Sequence, residues 1–125
     1  MGKLKEIVFE SRHPAALARF WAAALDGYAV RAYDDAEIAR LAGLGLTPET
    51  DPTVMVDGPG PSLCFQKVPG RQYDNNRVHL DIAAADRRAH VEKLVALGAK
   101  VDRETDGYTV MHDPEGNQFC VVGLA

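Results

Sequence analysis

Cysteine is scarce in this 125-residue chain, which contains only Cys64 and Cys120. That is far below the density of a disulfide scaffold, and it predicts a reducing, cytoplasmic setting. Long apolar runs are missing too: none approaches the roughly 20 residues that a membrane-spanning helix needs. There is no excess of positive charge, 14 Lys and Arg standing against 18 Asp and Glu for a net charge of −4. With no basic cluster either, the sequence argues against a nucleic-acid surface. The stretch Met1-Gly2-Lys3-Leu4-Lys5-Glu6 is charged and runs into an alternating pattern, so it does not read as a secretory signal. Phosphate-binding loops, dinucleotide glycine fingerprints, Gly-x-Ser-x-Gly elbows and Cys-x-x-Cys pairs are lacking. What is present is ordinary globular composition, 46% hydrophobic and 26% charged, with length enough for one domain and one core.

Order emerges along the chain. From Lys5 to Ser11, Ile7 and Phe9 alternate with Glu6, Val8 and Glu10, the period of a half-buried strand. His13-Pro14 opens a helix with Pro at the first helical position, Leu17, Phe20, Trp21 and Leu25 follow at helical spacing, and Asp26-Gly27 stops it. Tyr28–Tyr33, Thr53–Asp57 and Ser62–Val68 read as strands. A short helix capped at Asp34-Asp35 and a loop to Pro52 intervene. Arg77–Ala83 alternates again, with Val78, Leu80 and Ile82 on one face and His79 and Asp81 on the other. Asp86 then caps a helix with an apolar stripe of Val91, Leu94 and Val95. Ala99–Glu104, Tyr108–His112 and Gln118–Gly123 read as three closing strands.

The halves repeat. Glu6 set on His79 superposes strand, cap and helix. Asp57-Gly58-Pro59-Gly60-Pro61-Ser62-Leu63-Cys64 set on Asp113-Pro114-Glu115-Gly116-Asn117-Gln118-Phe119-Cys120 superposes the last turn and strand. This predicts an α+β fold of two βαβββ modules, about 1–69 and 76–125, within one domain spanning 1–125. One such module leaves its sheet half covered, so pairing two is physically sensible. Asp34–Pro52 has no counterpart in the second half. It is expected to be loosely held, with Ile38, Leu41, Leu44 and Leu46 forming a lid at the pocket entrance.

The run Pro14-Ala15-Ala16-Leu17-Ala18-Arg19-Phe20-Trp21, the strand Asn76-Arg77-Val78-His79-Leu80-Asp81 and the turn Asp113-Pro114-Glu115-Gly116-Asn117 resemble the glyoxalase/bleomycin-resistance/dioxygenase group, the vicinal oxygen chelate superfamily. The likeness is nearest to its small glyoxalase-like domain proteins and covers essentially the whole chain. It implies a cup-shaped mixed sheet, often a divalent metal in the cup, and commonly a homodimer. Family metal ligands come from the first and last strands of the modules. Those positions fall on Glu6 and His79, and on Cys64 and Cys120 where many relatives place Glu. A Glu/His/Cys set suits zinc better than harder cations.

Each candidate has two readings. His79 is a metal ligand or acid/base, or else a histidine hydrogen-bonded to Asp81 or Glu6. Glu6 is a catalytic carboxylate that needs a partner such as His79 or Arg77, or else a solvated rim residue. Cys64 and Cys120 are ligands, or small buried hydrophobes. Gln66, Arg77, Asp81, Leu41 and Leu44 are candidates for contacting a small-molecule ligand. Two functions follow. One is metal-assisted lyase, isomerase or dioxygenase-type chemistry, with the metal as Lewis acid and a carboxylate moving the proton. The other is metal-independent enclosure of a ligand, as in bleomycin-resistance-like drug-sequestering proteins. Fold alone does not choose between them.

Overall fold

The computed structural model describes residues 1–69 and 78–124, and the chain divides into two compact units, Met1–Arg71 and Gln72–Ala125. In the first unit the order is β1 (Glu6–Ser11), α1 (Pro14–Ala24), β2 (Ala29–Val30), α2 (Asp35–Gly43), β3 (Thr53–Asp57) and β4 (Ser62–Lys67). In the second it is β5 (Leu80–Ala84), α3 (Arg87–Ala96), β6 (Lys100–Glu104), β7 (Tyr108–His112) and β8 (Gln118–Gly123). The βαβββ order is thus present twice, with α2 inserted in the first copy.

Each unit holds a four-stranded mixed sheet, β1-β4-β3-β2 in one and β5-β8-β7-β6 in the other. Only the β1/β4 and β5/β8 pairs are parallel. Register makes the repeat concrete: Val8 pairs with Cys64 in the first sheet, and Asp81 pairs with Cys120 in the second. Asp81 lies as far beyond Val8 as His79 lies beyond Glu6. The strand alignment read from sequence and the Cys64/Cys120 alignment therefore describe the same ladder.

Helix α1 forms where expected, with Pro14 in its first turn and His13 as N-cap. The cap's side chain makes no hydrogen bond to the helix; instead its backbone N–H donates to Ser11 Oγ at 3.1 Å. The helix buries Leu17, Ala18, Phe20 and Trp21 against the sheet. Phe9 meets Trp21 at 5.5 Å and Phe65 at 5.0 Å between ring centroids, so the inward row of β1 and β4 packs directly on the helix. Losing a fully buried aromatic such as Trp21 costs about 3–5 kcal/mol. In the second unit Asp86 caps α3 by accepting from the Ala89 N–H at 3.0 Å. Gly98, with φ 111°, supplies the left-handed residue that ends it.

Several sequence expectations need correction. β5 begins at Leu80, leaving Val78 and His79 ahead of the strand, and Val78 is exposed rather than inward-facing. Val95 is exposed too, so α3 buries only Val91 and Leu94. β2 is two residues long rather than six. Beyond Val30 a single further bond, Arg31 N–H to the Met55 carbonyl, continues the ladder.

Candidate functional site

Pleating sends Ile7 and Phe9 toward α1 and leaves Glu6, Val8 and Glu10 on the other face of the first sheet. Register carries that open face across: Glu6 lies beside Ser62, Val8 beside Cys64 and Glu10 beside Gln66, while Thr53 pairs with Gln66 and Met55 with Cys64. Arg31 grips Asp57 on the outer strands through Nε and Nη2 at 2.7 and 2.8 Å, and Ser62 Oγ donates to the same carboxylate at 2.7 Å. Those hydrogen bonds, Arg31's first, hold the Asp57 carboxyl down at about 2. Glu6 is half-buried on this face. Burial, and then the Glu6 charge, pushes the Cys64 thiol up, so Cys64 is a neutral, buried thiol beside a carboxylate.

Helix α2 and its tail build a wall beside the open face. Asp34 caps the helix by accepting from the Glu37 N–H at 2.8 Å, and Leu41, 1% exposed, is the helix's buried anchor. The tail is tied down at its far end. Arg19 of α1 makes a two-point ion pair with Glu49, and buried Asp51 accepts from the Tyr33 hydroxyl at 2.8 Å and from the Thr53 N–H at 3.0 Å. Burial and the Asp51 carboxylate together push the Tyr33 phenol well up. The insert is therefore anchored, not loosely draped. Between it and the sheet is a cavity of about 460 Å³, with Leu41, Leu44 and Leu46 on one side and Arg31, Thr53 and Met55 on the other. Leu41 and Leu44 line this cavity, but Ile38 does not; it is exposed to solvent.

In the second unit the face opposite α3 carries Asp81 beside Cys120, with His79 just ahead of the strand. His79 Nε2 lies 3.3 Å from an Asp81 carboxylate oxygen, and one ligand atom from each of His79, Asp81 and Cys120 falls within 4.8 Å of the others. His79 and Asp81 are exposed and Cys120 is buried. Burial, then the Asp81 charge, pushes the Cys120 thiol up. The donor set tests well against zinc, whose ligands are imidazole nitrogen, thiolate sulfur and carboxylate oxygen. Two ligands of one tetrahedral zinc stand roughly 3.3–3.8 Å apart, as bond lengths of about 2.0–2.3 Å require.

Of the residues singled out from sequence, His79, Asp81 and Cys120 are brought together in the second unit. Glu6, Cys64 and Gln66 share the open face of the first sheet, with Gln66 exposed. Arg77 lies outside the described residues. Sequence reading placed Asp81 among ligand contacts and did not see it as a metal donor. It also passed over the polar cavity lining, Arg31, Tyr33, Arg40 and Asp51. The Asp51-Pro52-Thr53 stretch was the available signal, since an Asp two residues before a strand's first N–H commonly caps it.

Residues 6–122 match the family described as Glyoxalase-like domain. No curated protein matches the chain. Among solved structures, one similar fold is a glyoxalase/bleomycin resistance protein/dioxygenase family enzyme from Burkholderia phytofirmans PsJN, 14% identical, TM-score 0.65, covering 99% of this chain and 100% of that one. The fosfomycin resistance protein FosX from Listeria monocytogenes is 12% identical with TM-score 0.68, covering 100% and 93%. TioX from Micromonospora sp. ML1 is 10% identical with TM-score 0.61, covering 98% of each chain. At these identities the structures speak for the fold, and the domain match over nearly the whole length settles the family: the chain belongs to the glyoxalase-like domain family of the vicinal oxygen chelate superfamily.

Proposed function

We propose that this protein binds one divalent metal ion, zinc by donor chemistry, through His79, Asp81 and Cys120, and uses it on an oxygen-bearing small molecule. The observation that carries this is the convergence of three chemically suitable ligand atoms within 4.8 Å on one sheet face. Three protein ligands leave a coordination position open, the pattern of catalytic rather than structural zinc. A bound ion supplies Lewis acidity toward a ligand oxygen. The chain's own part is to set His79 Nε2 and the Asp81 carboxylate side by side, and to keep the Cys120 sulfur buried next to them. Glu6 is proposed separately, as a catalytic carboxylate of the first unit, half-buried on the open face of its sheet. Gln66 and Arg77 are proposed ligand contacts, and a cytoplasmic homodimer the proposed form. The resemblance to a fosfomycin resistance protein supports a small-molecule role in general terms.

Zinc competition against a chromophoric chelator tests the reading, on protein purified without a metal-affinity tag. One equivalent should bind to the native protein; His79→Ala should abolish that binding and Cys120→Ser should weaken it. Folded protein that takes up no zinc overturns it. A second reading, metal-independent ligand binding, is favoured by the cavity beside α2, whose lining includes none of the three metal candidates. Ligand affinity unchanged by a chelator would select that reading.

A further inference from the structure

The open faces of the two sheets carry an arginine at the same ladder position. In the first unit the Arg31 N–H bonds the Met55 carbonyl, Met55 pairs with Cys64 and Cys64 with Val8. In the second, Arg103 pairs with Val110, Val110 with Cys120 and Cys120 with Asp81. Burial and then a neighbouring carboxylate raise each thiol, and each arginine's charge partly offsets them, so both guanidiniums bear on the cysteine of their row. Arg31 is committed within the protein: its Nε and Nη2 hold Asp57, to which Ser62 Oγ also donates. The second unit repeats this cradle without its carboxylate. Val56 pairs with Leu63 and Met111 with Phe119, so the residue that follows on each strand, Asp57 or His112, holds the equivalent place, and Gln118 stands where Ser62 does. Asp113, next along, is buried and turned into the hairpin, accepting from the Glu115 and Asn117 amides. Opposite His112 is Lys100, where the first unit has Ala29 opposite Asp57. Arg103's one ion-pair partner among the described residues is Asp102, whose Oδ2 lies 3.8 Å from Nη1, beyond hydrogen-bond reach. The Nε/Nη2 edge, which Arg31 uses on Asp57, has no protein acceptor there.

We infer that the open face of the second sheet is an oxyanion site, where the acid group of a small molecule takes the place that the Asp57 carboxylate fills in the first unit, held by Arg103 and flanked by Lys100 and His112. A guanidinium edge matches carboxylate or phosphate oxygens two at a time, and Lys adds a point charge. The His112 imidazole offers an N–H in either tautomer. Charge selects the anion. At this ladder step the first unit carries Asp57 and Ala29, whereas the second carries His112 and Lys100, with Arg103 one row away. The carboxylate of that row, Asp81, already stands 3.3 Å from His79 Nε2. With zinc on the trio, the acid group would belong to the metal's substrate, a step that rests on the reading above; the anion site itself needs no bound ion.

The test uses the full chain with a chelator present, so that failure here leaves the zinc reading untouched. Salt is held at about 0.15 M, where diffuse surface attraction is screened. Inorganic phosphate is the probe, followed by arginine Nε–H and backbone amide shifts. It should give saturable shifts at the Arg103 Nε–H and at the His112 and Gln118 amides, and leave the Arg31 Nε–H still. Arg103→Gln should weaken binding about tenfold or more, the loss of a charge-assisted contact, and Arg31→Gln should leave it unchanged. His112→Asp, which supplies the missing carboxylate from within, should abolish phosphate binding in a protein that remains folded. Asp57→His, the reverse exchange, should make the Arg31 Nε–H newly responsive. The site is overturned if the shifts do not saturate, if Arg31 responds as strongly as Arg103 in the native protein, or if the affinity survives either Arg103→Gln or His112→Asp.

Discussion

Arg31 and Asp57 face each other through two parallel N–H···O bonds of 2.7 and 2.8 Å, and through them the stretch after β2 is fastened to the end of β3. Asp57 is thereby held near 2, below its ordinary 3.8. A depressed carboxyl stabilises the fold above the ordinary value and loses that contribution as pH falls toward the folded value. We therefore expect part of the acid unfolding between pH 3.8 and about 2 to belong to this residue. Arg31→Ala should return the Asp57 titration, followed by carboxyl carbon shifts, most of the way to the ordinary value. Both side chains are about half exposed, so the stability change should be about 1 kcal/mol or less. An unmoved Asp57 titration in Arg31→Ala would show that Ser62 alone sustains the shift.

The second expectation concerns proton release on metal binding. Burial raises the Cys120 thiol, so zinc must displace a proton to bind sulfur. Apparent zinc affinity should climb steadily with pH through the neutral range and beyond, because the raised thiol keeps its proton there and each step up in pH weakens that competition. Cys120→Ser should bind more weakly and flatten the dependence, whereas Cys64→Ser, outside the trio, should leave both affinity and slope as they were. Loss of zinc in Cys64→Ser would reassign the ligand set.

Much of this organisation was legible before any coordinates. Alternation in Glu6–Ser11 and the Asp86 cap are local signals, and local signals survive into the fold. Val95 was misread because helical spacing alone does not say which edge of a Val91/Leu94/Val95 stripe the sheet will cover. β2 was overdrawn because Tyr33 is drawn away to Asp51, a partner 18 residues on that no local pattern announces. The metal trio was half visible. His79 and Asp81 shared a predicted face, but placing Cys120 beside Asp81 needed the parallel register of two strands whose ladder partners lie 39 residues apart. The cavity was least visible, because its polar groups come from the tail of one strand, an inserted helix and the approach to another.

Gly58 and Tyr28 yield a third expectation. A Cβ on Gly58 would sit inside van der Waals contact with the Tyr28 ring, whose hydroxyl donates to the Pro61 carbonyl at 3.1 Å. Gly58→Ala should cost about 1–3 kcal/mol in denaturant unfolding, the range for forcing atoms into a packed site. Tyr28→Phe, which keeps the ring and loses the hydrogen bond, should cost about 1 kcal/mol. If the clash is the cause, Gly58→Ala should be nearly harmless in a Tyr28→Ala background, a clear departure from additivity.

The last expectation concerns how the insert is held. Leu41 is the only buried residue of α2, and the backbone turns that follow it close onto its carbonyl, from the Leu44 and Leu46 amides at 2.9 and 2.8 Å. One residue therefore serves both, its side chain anchoring the helix and its carbonyl holding the first turn of the loop that lines the cavity. Leu41→Ala should remove about 2–5 kcal/mol of local stability. Whether that loss is local is decided by native-state hydrogen exchange. If the insert opens as a unit of its own, the Ile38, Leu44 and Leu46 amides should exchange about tenfold faster or more in the variant, while the β1 and β4 amides keep their rates. A uniform acceleration through β1 and β4 would mean that α2 folds and unfolds with the whole first sheet. Arg19→Ala provides the contrast: its two-point contact with Glu49 is exposed on both sides, so it should loosen residues near Glu49 only slightly and leave Leu41 protected.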